Sequence, residues 1–188
     1  MCGKCTLNCK FCINKTLKEN GERQQTMSND MFDIVLKFLK TIPTLTEVGL
    51  FYIGESGLDV NLPYRYKRLK ELGYFTYLTT NGTVCDTILK SIPYVDSLKV
   101  SWNYANLADF KNKTMANAFM YDNIQANISK FFDECHRFGK QLTVSTIVDT
   151  NKDDYSDALK MLKFDQHYWL PLQSQYDVNE NAVGGVVG

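Results

Sequence analysis

With 188 residues, 44% of them hydrophobic, the chain has the material for one folded domain with a sizeable core. Lys plus Arg and Asp plus Glu stand at 21 each, so no global field draws the molecule to nucleic acid or an anionic membrane, and neither is expected as a partner. No apolar run approaches the roughly 18 residues of a membrane span and no signal peptide opens the chain, which predicts a cytoplasmic location.

The chain begins with four closely spaced cysteines, Cys2, Cys5, Cys9 and Cys12. Ser28 or Asn29 then caps a predicted helix whose apolar positions Met31, Ile34, Val35, Phe38 and Leu39 recur at helical spacing until Pro43. The nearly continuous apolar run Glu47 to Ile53 predicts a parallel strand covered on both faces. Asn61 and Pro63 open the next helix and Gly73 closes it. Strand Tyr74 to Thr79, helix Asp86 to Ile92 and strand Ser97 to Trp102 follow, then a long irregular connection. Ile124, Ile128, Phe131, Phe132 and Cys135 mark an amphipathic helix over Asn123 to Phe138. Strand Gln141 to Val148, helix Asp154 to Lys163 and strand His167 to Leu172 complete the pattern.

Alternating strands and helices imply βα units and a parallel sheet. Five strands and an N-terminal stub are too few for an eight-stranded barrel, and composition alone leaves an open doubly wound sheet as an alternative. The glycine-rich end, Asn179 to Gly188, reads as a flexible tail.

Thiolates are soft ligands suited to iron-sulfur clusters, and a cluster used only to carry electrons normally takes four of them. Cys5, Cys9 and Cys12, spaced C-x3-C-x2-C, supply three and leave one iron open. Cys2 extends the run to C-x2-C-x3-C-x2-C, and four thiols would close the shell around zinc or a fully ligated cluster. The gap between the two cysteine pairs is much shorter than the roughly 12 to 20 residues of zinc modules. Cys85 and Cys135 lie alone in apolar patterns and read as buried small hydrophobes. No serine, histidine and carboxylate pattern suggests a hydrolase, and no glycine-rich phosphate loop precedes a helix.

The C-x3-C-x2-C spacing with aromatic Phe11 before the last cysteine resembles the signature of the radical S-adenosylmethionine (SAM) enzymes. The resemblance implies a 4Fe-4S cluster on Cys5, Cys9 and Cys12, whose open iron chelates SAM. Reductive cleavage of SAM then yields a 5′-deoxyadenosyl radical that takes hydrogen from a substrate. It further implies a partial (β/α)6 TIM-like barrel over residues 1–175, its N-terminal strand short or missing, with 176–188 as the tail. Phe11 would lie against the adenine or shield the cluster.

Further likenesses fall at strand ends. Ile53-Gly54-Glu55-Ser56 resembles the family's Gly-Gly-Glu-Pro, which implies that Gly54 and Glu55 hold the methionine amino group. Ser101 and Asn103 resemble the pair that reaches the ribose hydroxyls. Asn81, in Thr80-Asn81-Gly82, is structural first and substrate-facing second. Asn151 resembles a family asparagine or caps a helix, Leu170 or Pro171 would sit beneath the adenine, and His167 and Trp169 either line the pocket or simply pack.

The resemblance also implies an external one-electron donor of flavodoxin or ferredoxin type. A peptide or protein side chain is the first expectation for the substrate and a small metabolite the second. Members that modify peptides often carry a second cysteine-rich extension, and its absence after Cys135 suggests a reduced form or a fragment. The competing reading, from a different class, is a non-catalytic electron carrier or metal-stabilised binding domain using Cys2, Cys5, Cys9 and Cys12. A metal-free α/β binding module is the third.

Overall fold

The computed structural model describes residues 2–21, 25–51, 53–149 and 151–172. The expected tail, 176–188, lies outside them. The described residues form five parallel strands, β1 (Glu47–Gly49), β2 (Phe75–Thr80), β3 (Ser97–Ser101), β4 (Leu142–Val148) and β5 (Gln166–Pro171), hydrogen-bonded in that order. Helices α1 (Ile13–Glu19) and α2 (Asn29–Leu39) precede β1, while α3 (Leu62–Glu71) and α4 (Asp86–Ser91) follow β1 and β2. Between β3 and β4 run α5 (Leu107–Thr114) and α6 (Ala118–Arg137), and α7 (Ser156–Lys160) leads into β5. No helix among the described residues is long and apolar enough to cross a membrane.

The strand order decides between the two architectures left open by composition. A doubly wound sheet reverses its order at a switch point, whereas here it follows the chain from β1 to β5. Right-handed crossovers in that order return each helix over one face and leave the other face as the inside of an arc. This is a partial TIM-like barrel.

Side chains alternate between the two faces of each strand. On the helix side Leu78, Leu98, Val100, Leu142 and Val144 are buried and pack with Ile88, Ile92, Ile124, Ile128 and Phe131 into one core. Each fully buried large apolar side chain is worth about 1.5 to 3 kcal/mol. The inner face is polar: the register pairs Thr79 with Lys99, Lys99 with Thr143, Ser101 with Ser145, and Ser145 with Tyr168.

Several elements differ from expectation. Strand β1 ends at Gly49, not Ile53. The Tyr66 hydroxyl accepts from Leu50 N (3.1 Å) and donates to Tyr77 O (2.8 Å), so a side chain takes up the next rung of the ladder. Helix α2 is capped as expected, Ser28 Oγ accepting from Met31 N at 3.1 Å, but it turns a different face inward. Phe32 and Leu36 are buried while Met31, Ile34 and Phe38 are exposed. The cause lies in α3: Arg65, paired with Asp59 at 2.6 Å, is fully buried and its guanidinium rests over the Phe32 ring.

Two helices were not anticipated, α1 directly after Cys12 and α5 within the supposedly irregular connection. Helix α6 starts at Ala118, five residues before the expected Asn123, because Asn117 Oδ1 caps Met120 N at 3.0 Å. The helix expected over Asp154 to Lys163 is a short 3-10 turn, Lys152–Tyr155, followed by α7.

Candidate functional site

The cysteine segment is fastened from several sides. Asn8 N donates to Thr114 O (3.2 Å) and Lys10 N to Lys113 O (2.8 Å), so the loop between Cys5 and Cys12 hangs on the last carbonyls of α5. Those carbonyls have no partner within the helix and need one from outside it. From the other side Lys18 Nζ donates to Cys5 O and Leu7 O, both at 3.3 Å, and Glu55 N donates to Lys4 O at 2.7 Å.

Cys5, Cys9, Phe11 and Cys12 line one wall of a cavity of about 200 Å³. Phe51, Ile53, Gly54 and Glu55 after β1, Thr79, Thr80 and Asn81 at the end of β2, and Ser101 at the end of β3 line the rest. This is where parallel α/β folds collect ligands. Cys2 stands apart. Buried, with its Sγ 3.2 Å from Thr26 Oγ1, it belongs to a small antiparallel bridge with Thr26 and lies outside the cavity lining.

Glu55 is almost wholly buried, at 1% exposure. Its Oε1 accepts from Gly57 N (2.8 Å) and Thr80 Oγ1 (2.6 Å), its Oε2 from Asn81 N (2.7 Å). Burial pushes its pKa up and these three donors pull it back. An ionised carboxylate offers about four acceptor sites, so these three bonds leave one unused. Asn81 has the expected structural role, Oδ1 accepting from Thr83 N (3.0 Å) within the turn, and it also lines the cavity, its Nδ2 reaching Cys5 Sγ at 3.5 Å. Gly82 follows with φ +80°, and a Cβ there would meet Ile124 Cγ2 at 2.9 Å.

Gly54 is the point of closest approach between the β1 loop and the cysteine segment. A Cβ there would lie 2.3 Å from Cys2 O and 2.4 Å from Lys4 O, both backbone atoms with no rotamer to yield. Gly54→Ala should therefore displace the segment, lowering the melting temperature and the iron retained per chain after reconstitution.

Other expected residues fall outside the cavity lining. Asn103 is buried, and its Oδ1 accepts from Ile147 N at 2.8 Å, tying the end of β3 to β4 while Nδ2 stays uncommitted by that bond. His167 and Trp169 face the helix side, where Trp169 packs on Tyr155 and His167 Nε2 lies 3.0 Å from Thr146 Oγ1. Asn151 caps the turn after β4, accepting from Asp153 N at 3.2 Å.

Sequence reasoning missed two residues. Tyr104, fully buried, hydrogen-bonds through its hydroxyl to the Cys9 thiol. It stands in an aromatic group with Trp102, Phe110 and Tyr121, ring centroids 4.8 to 5.5 Å apart. Lys113, in α5, ties together the segments that follow β3 and β4, its Nζ contacting Asp109 (2.9 Å), Asp149 (2.9 Å), Tyr155 Oη (3.1 Å) and Asn103 O (3.2 Å). Asn106, which caps α5 at Asp109 N (3.0 Å), was the one signal pointing to this helix.

The donor set fits an iron-sulfur cluster better than a single ion. Among the described residues no three His, Cys, Asp or Glu side chains converge on one metal position, yet three soft thiols open into one cavity beside polar strand ends. Burial pushes the Cys9 thiol up to about 12, with Cys5 and Cys12 adding to the rise and the Tyr104 bond opposing it. Burial likewise raises Cys5. A thiol that holds its proton more tightly folded than unfolded stabilises the fold below its ordinary value near 9 and loses that contribution as pH climbs toward 12. Metal-free protein should accordingly lose about 1 kcal/mol per pH unit from Cys9 alone above pH 9. Thermal melts at rising pH, with Cys9→Ala giving a shallower decline, check this.

The sequence profile of the radical SAM superfamily matches residues 1–165. The chain belongs to the radical SAM superfamily. Solved structures agree on the fold at low identity. Streptococcus suis SuiB is 14% identical with a TM-score of 0.69, over 94% of this radical SAM chain and 39% of SuiB. TYW1, solved with a lysine-pyruvate adduct, is 16% identical with a TM-score of 0.55, over 77% and 52%. BtrN, solved with AdoMet and 2-DOIA, is 11% identical with a TM-score of 0.51, over 89% and 53%. The chain thus spans 39 to 53% of the length of these solved chains. No curated protein matches it.

Proposed function

We propose that this protein is a radical SAM enzyme in which Cys5, Cys9 and Cys12 hold a 4Fe-4S cluster at three corners. When bound, such a cluster supplies the one-electron reduction that cleaves a carbon-sulfur bond of SAM and so enables hydrogen abstraction. The observation that carries this reading is the single cavity shared by the three thiols, Gly54, Glu55 and Ser101, with the fourth thiol, Cys2, turned toward Thr26.

Each residue then has a task. The unused acceptor site of Glu55 receives the methionine ammonium in a charge-assisted hydrogen bond, and the Gly54 backbone fixes the distance. Ser101 takes a ribose hydroxyl, and Asn103 offers its Nδ2 nearby. Phe11, on the cavity wall, shields the thiols or meets the adenine. Asn81 Nδ2 and the Tyr104 hydroxyl orient Cys5 and Cys9, as outer partners do around ligating groups generally. An external one-electron donor of flavodoxin or ferredoxin type is required. A peptide or protein side chain is the favoured substrate, ahead of a small metabolite. The six free cysteines suit a reducing, cytoplasmic setting.

Anaerobic reconstitution followed by dithionite and SAM should yield 5′-deoxyadenosine, and Cys9→Ala should abolish it. Equal yields from the two proteins would overturn the reading. The electron-carrier alternative requires Cys2 as a ligand, so Cys2→Ala should leave the iron content unchanged if the cluster is open and reduce it if the shell is closed.

A further inference from the structure

Lys99 lies in the middle of β3, two residues before the cavity-lining Ser101 and hence on the same, inner face of the sheet. Its neighbours across the ladder are Thr79 on β2 and Thr143 on β4. The next rung, Ser101 beside Ser145 and Tyr168, is hydroxylic as well. Roughly 7 Å of strand separates Lys99 from Ser101, so Lys99 stands on the inner face one inward-facing position below the cavity-lining end of β3.

The other half-buried lysines all have partners. Lys15 reaches Glu19, Lys18 the carbonyls of Cys5 and Leu7, and Lys140 those of Ile92 and Pro93. Lys99, half-buried too, has no hydrogen bond or ion pair among the described residues. The acids near this face are committed elsewhere: Glu55 to Thr80, Asn81 and Gly57, Asp96 to Lys70 and Thr76, and Asp149 to Lys113. A cation drawn from water without a counter-charge is unfavourable. Hydroxyls that both donate and accept surround it without neutralising it.

We propose that Lys99 anchors an anionic group, a carboxylate or phosphate, of the substrate that enters the inner face of the arc. This rests on the radical SAM reading for the word substrate, but the anion site itself does not depend on SAM cleavage. The methionine carboxylate of SAM is a different anion, expected beside Gly54 and Glu55 after β1. Lys99 is two strands away and one rung lower.

Reductive ¹³C-methylation keeps lysine charged and gives each residue an NMR signal. In reconstituted, oxidised protein the Lys99 signal, identified by its loss in Lys99→Gln, should move saturably with acetate or inorganic phosphate at about millimolar concentration. The other lysine signals should stay nearly still, and chloride at equal ionic strength should have no such effect. A tighter response to acetate assigns a carboxylate, a tighter response to phosphate a phosphate ester. Absence of a saturable shift up to about 50 mM of either anion would overturn the proposal. So would a shift produced by SAM alone that abolishes the acetate response, since the anion would then be the methionine carboxylate. Unchanged signals from the other lysines in Lys99→Gln verify its fold, and a failed 5′-deoxyadenosine assay would leave this result standing.

Discussion

Lys113→Met should lower stability by about 2 to 4 kcal/mol and strip the protein of most of its reconstituted iron. The ammonium sits between Asp109 and Asp149 and also holds Tyr155 Oη and Asn103 O. Removing one partner from a buried ion pair costs about 3 to 5 kcal/mol when the charges left behind are fully desolvated. The two carboxylates retain 21% and 26% side-chain exposure, so solvent relieves part of that cost and brings it to about 2 to 4 kcal/mol. A loss of this size shifts the melting temperature by roughly 5 to 15 °C in a chain of this length. The iron effect has a separate cause, since the carbonyls of Lys113 and Thr114 carry the cysteine loop. Asp96→Asn, which disturbs Lys70 and Thr76 at the opposite end of the strands, serves as the control. It should lower the melting point without changing the rate at which a chelator removes iron. Equal chelation rates for Lys113→Met and wild type would show that the loop does not depend on this lysine.

The second large effect is expected from Glu55→Gln. Both carboxylate oxygens face donors, Gly57 N and Thr80 Oγ1 on one and Asn81 N on the other. Either orientation of the glutamine amide therefore turns its NH₂ toward an N–H or O–H. Leaving such buried donors unsatisfied costs about 1 to 3 kcal/mol each, and the charge that would meet the SAM ammonium is lost as well. Melting temperature should fall, and calorimetric SAM affinity of reconstituted protein should drop about tenfold or more, as expected for 1.4 kcal/mol or greater. Wild-type SAM affinity in this variant would reduce Glu55 to a scaffold residue of the β2 turn.

Legibility of the sequence varied with the kind of force that shapes each part. The strands could be read because helix-side runs such as Leu78, Leu98 and Val100 are apolar in periodic order, and burial enforces that pattern. Composition could not separate a barrel from a doubly wound sheet, because both use the same βα unit. The difference lies in which strands pair, visible as the order β1 to β5. Helix α2 shows the limit of periodicity: Met31, Ile34 and Phe38 form as good a stripe as Phe32 and Leu36. Only the buried Arg65 over Phe32 selects between them.

At the site, the grouping of Cys5, Cys9 and Cys12 on one cavity wall was legible because their short spacing keeps them on a single loop. Glu55 and Ser101 were legible by their places at strand ends. Tyr104 and Lys113 were not, since their partners come from distant segments and leave no short-range pattern. Asn103 shows the converse, a residue legible as polar and strand-terminal whose Oδ1 is nevertheless taken by Ile147 N.

The cysteine loop's fastenings also bear on the timing of assembly. Thr6 meets Thr83 and Lys10 meets Asn112, separations of 77 and 102 residues. The thiols are synthesised before the parts that shape them, and contacts of such long range form slowly. Until α5 is in place the loop between Cys5 and Cys12 lacks the carbonyls that anchor Asn8 and Lys10. Iron loading should thus wait for α5, and nascent chains stalled before Thr114 should remain colourless under conditions that turn chains extending past β5 brown.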